Sequence, residues 1–142
     1  MAVHKESNRM DPGRDAPAVW VVPAALQHLS ECGETDLVEE LIAEFQTDTA
    51  SRLETVGRAI VAADYATIRL EAHTIKGSAV QVGANKVADA CRQVEVAARN
   101  TRREELGLLF RSLLDDFEDV RGAIAARHVP APPESGFRRY GQ

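Results

Sequence analysis

From Leu26 to Ile124 apolar residues return every third or fourth position, and no run alternates with period two over a useful length. A period near 3.6 places them along one side of a helix, whereas a half-buried strand needs period two. A chain written this way has to fold as helices that each bury one stripe. Aromatic residues make up only 5%, so the core must be built of Leu, Val, Ile and Ala, a mix that suits helices.

The helices can be placed one by one. A short first helix starts near Pro23, a residue suited to a first turn, runs through Leu26 and Leu29, and stops before Gly33. Thr35 is the expected cap of a second, whose stripe is Val38, Leu41, Ile42, Phe45, Leu53, Val56 and Ile60, interrupted by Thr49. A third spans Tyr65 to Val82 and is broken by Gly83. A fourth follows from Ala84 to Arg99, with Val87, Cys91, Val94 and Ala98 on one face. Thr101, with Glu104 three residues on, has the spacing of a capping box for the fifth, striped by Leu106, Leu109, Phe110, Leu113, Phe117, Val120 and Ile124. Short connections make neighbours antiparallel. The expected fold is all-α, an up-down antiparallel four-helix bundle over residues 17–126 with a short additional N-terminal helix. Residues 1–16 mix charge with Pro and Gly without periodicity and read as a disordered arm. Residues 127–142, with Pro130, Pro132, Pro133 and Gly136, read as a flexible tail. Both arms look like natural ends, which favours a free-standing protein.

Charge and composition narrow the function. A net charge of −5 argues against a nucleic-acid binder, whose affinity comes from neutralising phosphates. No apolar stretch approaches the roughly 18 residues a membrane span requires, and the first fifteen residues lack the apolar region of a signal peptide. Cys32 and Cys91 are too few for a disulfide framework and form no C-x-x-C pair, so they read as free thiols in a reducing cytoplasm. Neither a Gly-rich phosphate loop nor H-E-x-x-H is present, and Glu71 stands two residues before His73 rather than at ferritin-like spacing. Neither ATP-dependent self-phosphorylation nor a resident metal is expected.

The third helix carries the chemistry. At about 100° per residue, Ile68, Ala72, Ile75, Ala79 and Val82 cluster in one direction, and His73 falls roughly 140° away. His73 should face solvent, with Leu70, Gly77 and Val80 on the same outer face. Lys76 is three residues on, close enough to reach a group attached to the imidazole. Gly77 sits mid-helix, where glycine costs about 1 kcal/mol against alanine, and makes sense if something bulky must approach His73. Leu70 and Val80 leave apolar area beside it, as a docking surface would. Neutral imidazole is a competent nucleophile near pH 7, and a neighbouring cation offsets the charge of a bound phosphoryl group. Phosphoryl transfer otherwise depends mainly on positioning and charge stabilisation.

The run His73-Thr74-Ile75-Lys76-Gly77-Ser78-Ala79, then Gly83-Ala84 and Cys91-Arg92-Gln93-Val94-Glu95, resembles the histidine phosphotransfer (HPt) domain family. Its members are four-helix bundles that shuttle phosphoryl groups between receiver aspartates. The resemblance implies that His73 is the phosphorylated residue, Lys76 and Arg99 the phosphate neighbours, and Gly77 the clearance for a partner. It implies that Glu95 orients the imidazole, and that Leu70, Val80 and Arg92 belong to the docking surface, with Arg69, Lys86 and Arg99 adding to a locally basic patch. The departure is Ala79, where the pattern often has serine; it falls on the buried stripe. The implied partners are a response-regulator receiver domain and a sensor or hybrid histidine kinase. Mg²⁺ is expected from the receiver's acidic pocket and no cofactor from this chain, which is expected to be a monomeric carrier and not an enzyme. Two other readings compete: an adaptor bundle that binds a receiver without transfer, and the N-terminal phosphotransfer domain of a chemotaxis-type kinase. His4, His28 and His128 have no constellation around them.

Overall fold

The computed structural model describes residues 19–127. Five helices follow in order: α1 (Ala24–Glu31), α2 (Thr35–Val61), α3 (Tyr65–Val82), α4 (Asn85–Arg99) and α5 (Arg103–Arg127), with no strand among the described residues. Each packs on the next, and α5 returns to touch α2. The expected arm over 1–16 lies outside the described residues, as does the expected tail except for Arg127, which closes α5.

All four connections turn on the same device. One residue in each takes a left-handed conformation: Gly33, Ala63, Gly83 and Thr101, at φ 91°, 55°, 85° and 50°. The amide after it bonds back to the carbonyl five residues earlier, as in Glu34 to Leu29, Asp64 to Ala59, Ala84 to Ala79 and Arg102 to Ala97, at 2.8–2.9 Å. This is the Schellman closure, which satisfies the orphan carbonyls at a helix C-terminus. It also overturns two expected caps. Thr35 already lies inside α2, behind Glu34, and Thr101 is consumed by the left-handed turn, its hydroxyl donating to the Asn100 carbonyl at 2.7 Å. Where the preceding helix dictates the turn, the next helix starts without a choice of cap. Asp64 is the exception: its carboxylate accepts from the Thr67 amide at 3.2 Å and the Thr67 hydroxyl at 2.7 Å, and these bonds hold it below the usual range.

The stripes meet in one core. Ile68, Ala72, Ile75, Ala79 and Val82 are all buried on α3, facing Val87, Cys91, Val94 and Ala98 of α4 among others. On α5, Leu106, Leu113, Phe117, Val120 and Ile124 are buried, while Leu109 and Phe110 are half-covered. On α2 the register differs slightly: Leu41 is exposed and Ile60 partly so, while Thr49 and Ala59 occupy core places. Thr49 is buried although its hydroxyl finds no hydrogen-bond partner. Small side chains lie where α3 meets α4, with Ala72 and Ala79 on one side and Ala88 and Ala98 on the other helix. These two helices are the most intimately packed pair.

Residues 19–23 lie across the α3–α4 turn. The Trp20 indole N–H donates to the Val82 carbonyl at 2.8 Å, and the Val21 amide donates to the Gly83 carbonyl at 3.2 Å. Gly83 is required twice over: its φ is left-handed, and a Cβ there would collide with the Val21 carbonyl. Gly83→Ala should therefore lower stability by at least ~2 kcal/mol, combining the cost of a left-handed L-residue with displacement of the strap. Chemical denaturation checks this, and a loss under 0.5 kcal/mol, roughly the scatter of surface substitutions, would show the strap to be slack.

Candidate functional site

α3 turns His73 outward, leaving its side chain 66% exposed, and α4 brings a carboxylate beside it. His73 Nδ1 lies 3.1 Å from Glu95 Oε2, and Lys76 Nζ lies 2.9 Å from Glu95 Oε1. Arg99, one turn further along α4, approaches Oε2 to 4.0 Å. One carboxyl group, only 13% exposed, is thus surrounded by an imidazole and two cations. Burial would raise Glu95, but the hydrogen bond and charge of Lys76, joined by those of His73, outweigh it and hold the carboxyl below its usual range.

An ionised carboxylate can only accept, so the imidazole must carry its proton on Nδ1. In the neutral imidazole Nε2 then holds the lone pair, and it makes no hydrogen bond to any described residue. The result is an oriented nitrogen nucleophile pointing into solvent. Below it the Cys91 thiol is pushed up to about 12, chiefly by burial and further by Glu95, so it stays protonated and inert.

Around this centre the outer face of α3 matches the phase argument. Leu70 and Val80 are 63% and 56% exposed, and a Cβ on Gly77 would meet open space. No internal packing explains that glycine. The basic patch is less free than the sequence suggested. Lys76 and Arg99 are drawn to Glu95, Arg92 bonds Asp89 at 2.9 Å, and Lys86 lies 3.7 Å from Asp116. The sequence pointed Lys76 at a phosphate; the structure turns it first to Glu95, a partner 19 residues away that only the packing of α3 on α4 reveals. Glu71 points elsewhere and pairs with Arg52 at 2.9 Å. Among the described residues no three His, Cys, Asp or Glu stand close enough to hold a metal ion. His28 touches Cys32 at 3.6 Å, away from this centre, and both cysteines are free; His4 and His128 lie outside the described residues.

A family model described as the Hpt domain matches residues 40–124, which include all four residues His73, Lys76, Glu95 and Arg99. The crystal structure of histidine-containing phosphotransfer protein B (HptB) from Pseudomonas aeruginosa PAO1 superposes with a TM-score of 0.67 at 24% identity. The match covers 75% of this chain and 92% of that one, so the two share a fold. No curated protein matches the chain.

The depressed Glu95 carboxyl predicts a sign for the pH dependence of stability. Its contribution is present in full above the unfolded value near 4.5 and is lost as pH falls through the folded value. Glu95→Gln should cost about 1 kcal/mol at pH 7, because Lys76 loses its counter-charge, and should flatten the decline of stability below about pH 5. Urea midpoints for both chains between pH 7 and pH 3 read this directly; parallel profiles would deny Glu95 the role.

Proposed function

The chain belongs to the Hpt domain family, whose function is histidine phosphotransfer in two-component relays, and we propose that His73 is the residue that carries the phosphoryl group. The observation that carries this is the exposed Nε2, left as a nucleophile by the bond from Nδ1 to Glu95. We read the scaffold as an up-down antiparallel four-helix bundle with α1 as an addition, supported by the sequential packing of α2 to α5 and the return of α5 to α2.

In the forward step, Nε2 of His73 attacks the phosphorus of a receiver's aspartyl phosphate. The Nε2–P bond forms as the aspartyl O–P bond breaks, and the aspartate departs as a carboxylate. The ring retains its Nδ1 proton on Glu95 and is left cationic, which stabilises the adduct electrostatically and keeps the imidazole a good leaving group for the next aspartate. Lys76 and Arg99 stand ready beside Glu95 to exchange that carboxylate for phosphoryl oxygens. Mg²⁺ would come from the receiver's acidic pocket. Leu70, Val80 and Arg92 supply the docking face, with Gly77 the clearance that lets a receiver close on the imidazole. The sequence supports a carrier without ATP chemistry, since it holds no phosphate-binding loop. None of the described helices is long and apolar enough to cross a membrane, and we place the protein in the cytoplasm as a monomer whose partners are a receiver domain and a histidine kinase. An adaptor that merely binds a receiver would have no use for an oriented Nε2, which favours transfer.

Incubated with a phosphorylated receiver domain and Mg²⁺, the protein should acquire an acid-labile, base-stable label. His73→Gln should abolish it while circular dichroism stays unchanged, and labelling that survives the substitution removes the proposal. Gly77→Gln should keep its helicity but accept the label at least tenfold more slowly, because the added side chain fills the approach to His73. Transfer at the parental rate would mean that no partner comes close there.

A further inference from the structure

α2 lies closely on α3 and only loosely on α5. At the C-terminal turns of α3, where α1 joins them, α2 and α3 part over an apolar groove of about 390 Å³. Leu26, Leu41, Phe45 and Val82 line it, and Leu41 is exposed at its wall. Ser78 and Gln81 form its α3 side, five and eight residues after His73, so they stand about 8 and 12 Å along the helix axis from the imidazole. A transient interface buries about 600 Å² per partner, a disc of roughly 14 Å radius. A receiver seated over His73 therefore reaches the groove as well.

The two sides of His73 are opposite in charge. At about 100° per residue, Lys76 lies roughly 60° round α3 in one direction, toward α4, and Gln81 roughly 80° in the other, toward α2. The α4 side carries Lys76 and Arg99. On the α2 side Glu44 and Asp48 line the groove, and no cation does. Arg52, one turn beyond Asp48, is shared between Asp48 at 2.8 Å and Glu71 at 2.9 Å. Glu44 makes no ion pair with any described residue, so three carboxylates stand against one guanidinium. Nothing local can neutralise the excess, since residues 31–51 hold seven carboxylates and no Lys or Arg.

Given His73 as the phosphoryl carrier, on which this rests, we propose that the groove selects and orients the receiver. Its occupant is an apolar side chain flanked by Lys or Arg, presented by the same receiver whose acidic pocket meets Lys76 and Arg99. The apolar floor takes the side chain, and Glu44 and Asp48 take the charge beside it. Only one orientation satisfies both halves of such a face. Turned end for end, the receiver would set its acidic pocket against Glu44 and Asp48, and like charges would repel it. A receiver without the basic segment would still fit over His73 but would be served more slowly.

Transfer to His73 from a phosphorylated receiver domain that labels the parent, followed across a salt series, supplies the test. Glu44→Lys reverses an exposed charge at the edge of the groove. It should lower kcat/KM for transfer at least fivefold at low salt, with a loss that fades as salt rises. Gln81→Lys, which brings a cation to the exposed α3 side, should act in the same way, and it decides alone should Glu44→Lys lose helicity. Asp119→Lys, exposed on α5, makes the same change in net charge as Glu44→Lys and should transfer at the parental rate. A parental rate in well-folded Glu44→Lys at low salt, a loss that salt does not relieve, or an equal loss in Asp119→Lys overturns the proposal. Each of these outcomes leaves His73 labelled, whereas a parent that no receiver labels removes the carrier itself, and the groove's role with it.

Discussion

The close approach of α3 and α4 is the constraint on which the site depends. Helix axes separate according to the side chains between them, and here those are largely alanines with Cys91. Because the backbones come near, a short carboxylate on α4 spans the gap to an imidazole and an ammonium on α3 at 3.1 and 2.9 Å. A bulkier seam would part these groups, leaving Glu95 unable to fix the imidazole tautomer while all three side chains remained present. The geometry of the His73–Glu95–Lys76 cluster thus depends on the small residues packed beneath it.

Much of this was legible in the sequence because period and phase are local properties. The buried stripe of α3 followed from spacing alone, as did the exposure of His73, Leu70 and Val80 on the opposite side. The capping roles of Thr35 and Thr101 were misread because a cap motif competes with the Schellman closure of the helix before it, and at both places the closure prevailed. Thr49 looked like an interruption of the α2 stripe and proved to lie within it, its methyl and Cβ apolar enough to be buried despite the hydroxyl.

Charge pairing was the least legible part. The cations near His73 looked like a free basic patch, yet each of Lys76, Lys86, Arg92 and Arg99 has a carboxylate within 4.0 Å. Only the Asp89–Arg92 and Glu95–Arg99 pairs fall at helical spacing; those of Lys76 and Lys86 cross between helices and have no local signature. For the docking face proposed above, the consequence is that an acidic partner would meet cations already partly neutralised. Its attraction to that face would have to be won from Asp89 and Glu95, which would suit a brief encounter.

The difference between the two sides of the molecule also orders its motions. Protein regions with dense apolar contact open only with the whole fold, whereas loosely packed ones open on their own at lower free energy. The alanine seam between α3 and α4 belongs to the first kind, and the wide seam between α2 and α5 to the second. Breathing is therefore confined to the far side, where the C-terminal turns of α2 and the N-terminal turns of α5 can part while the imidazole keeps its proton and its bearing.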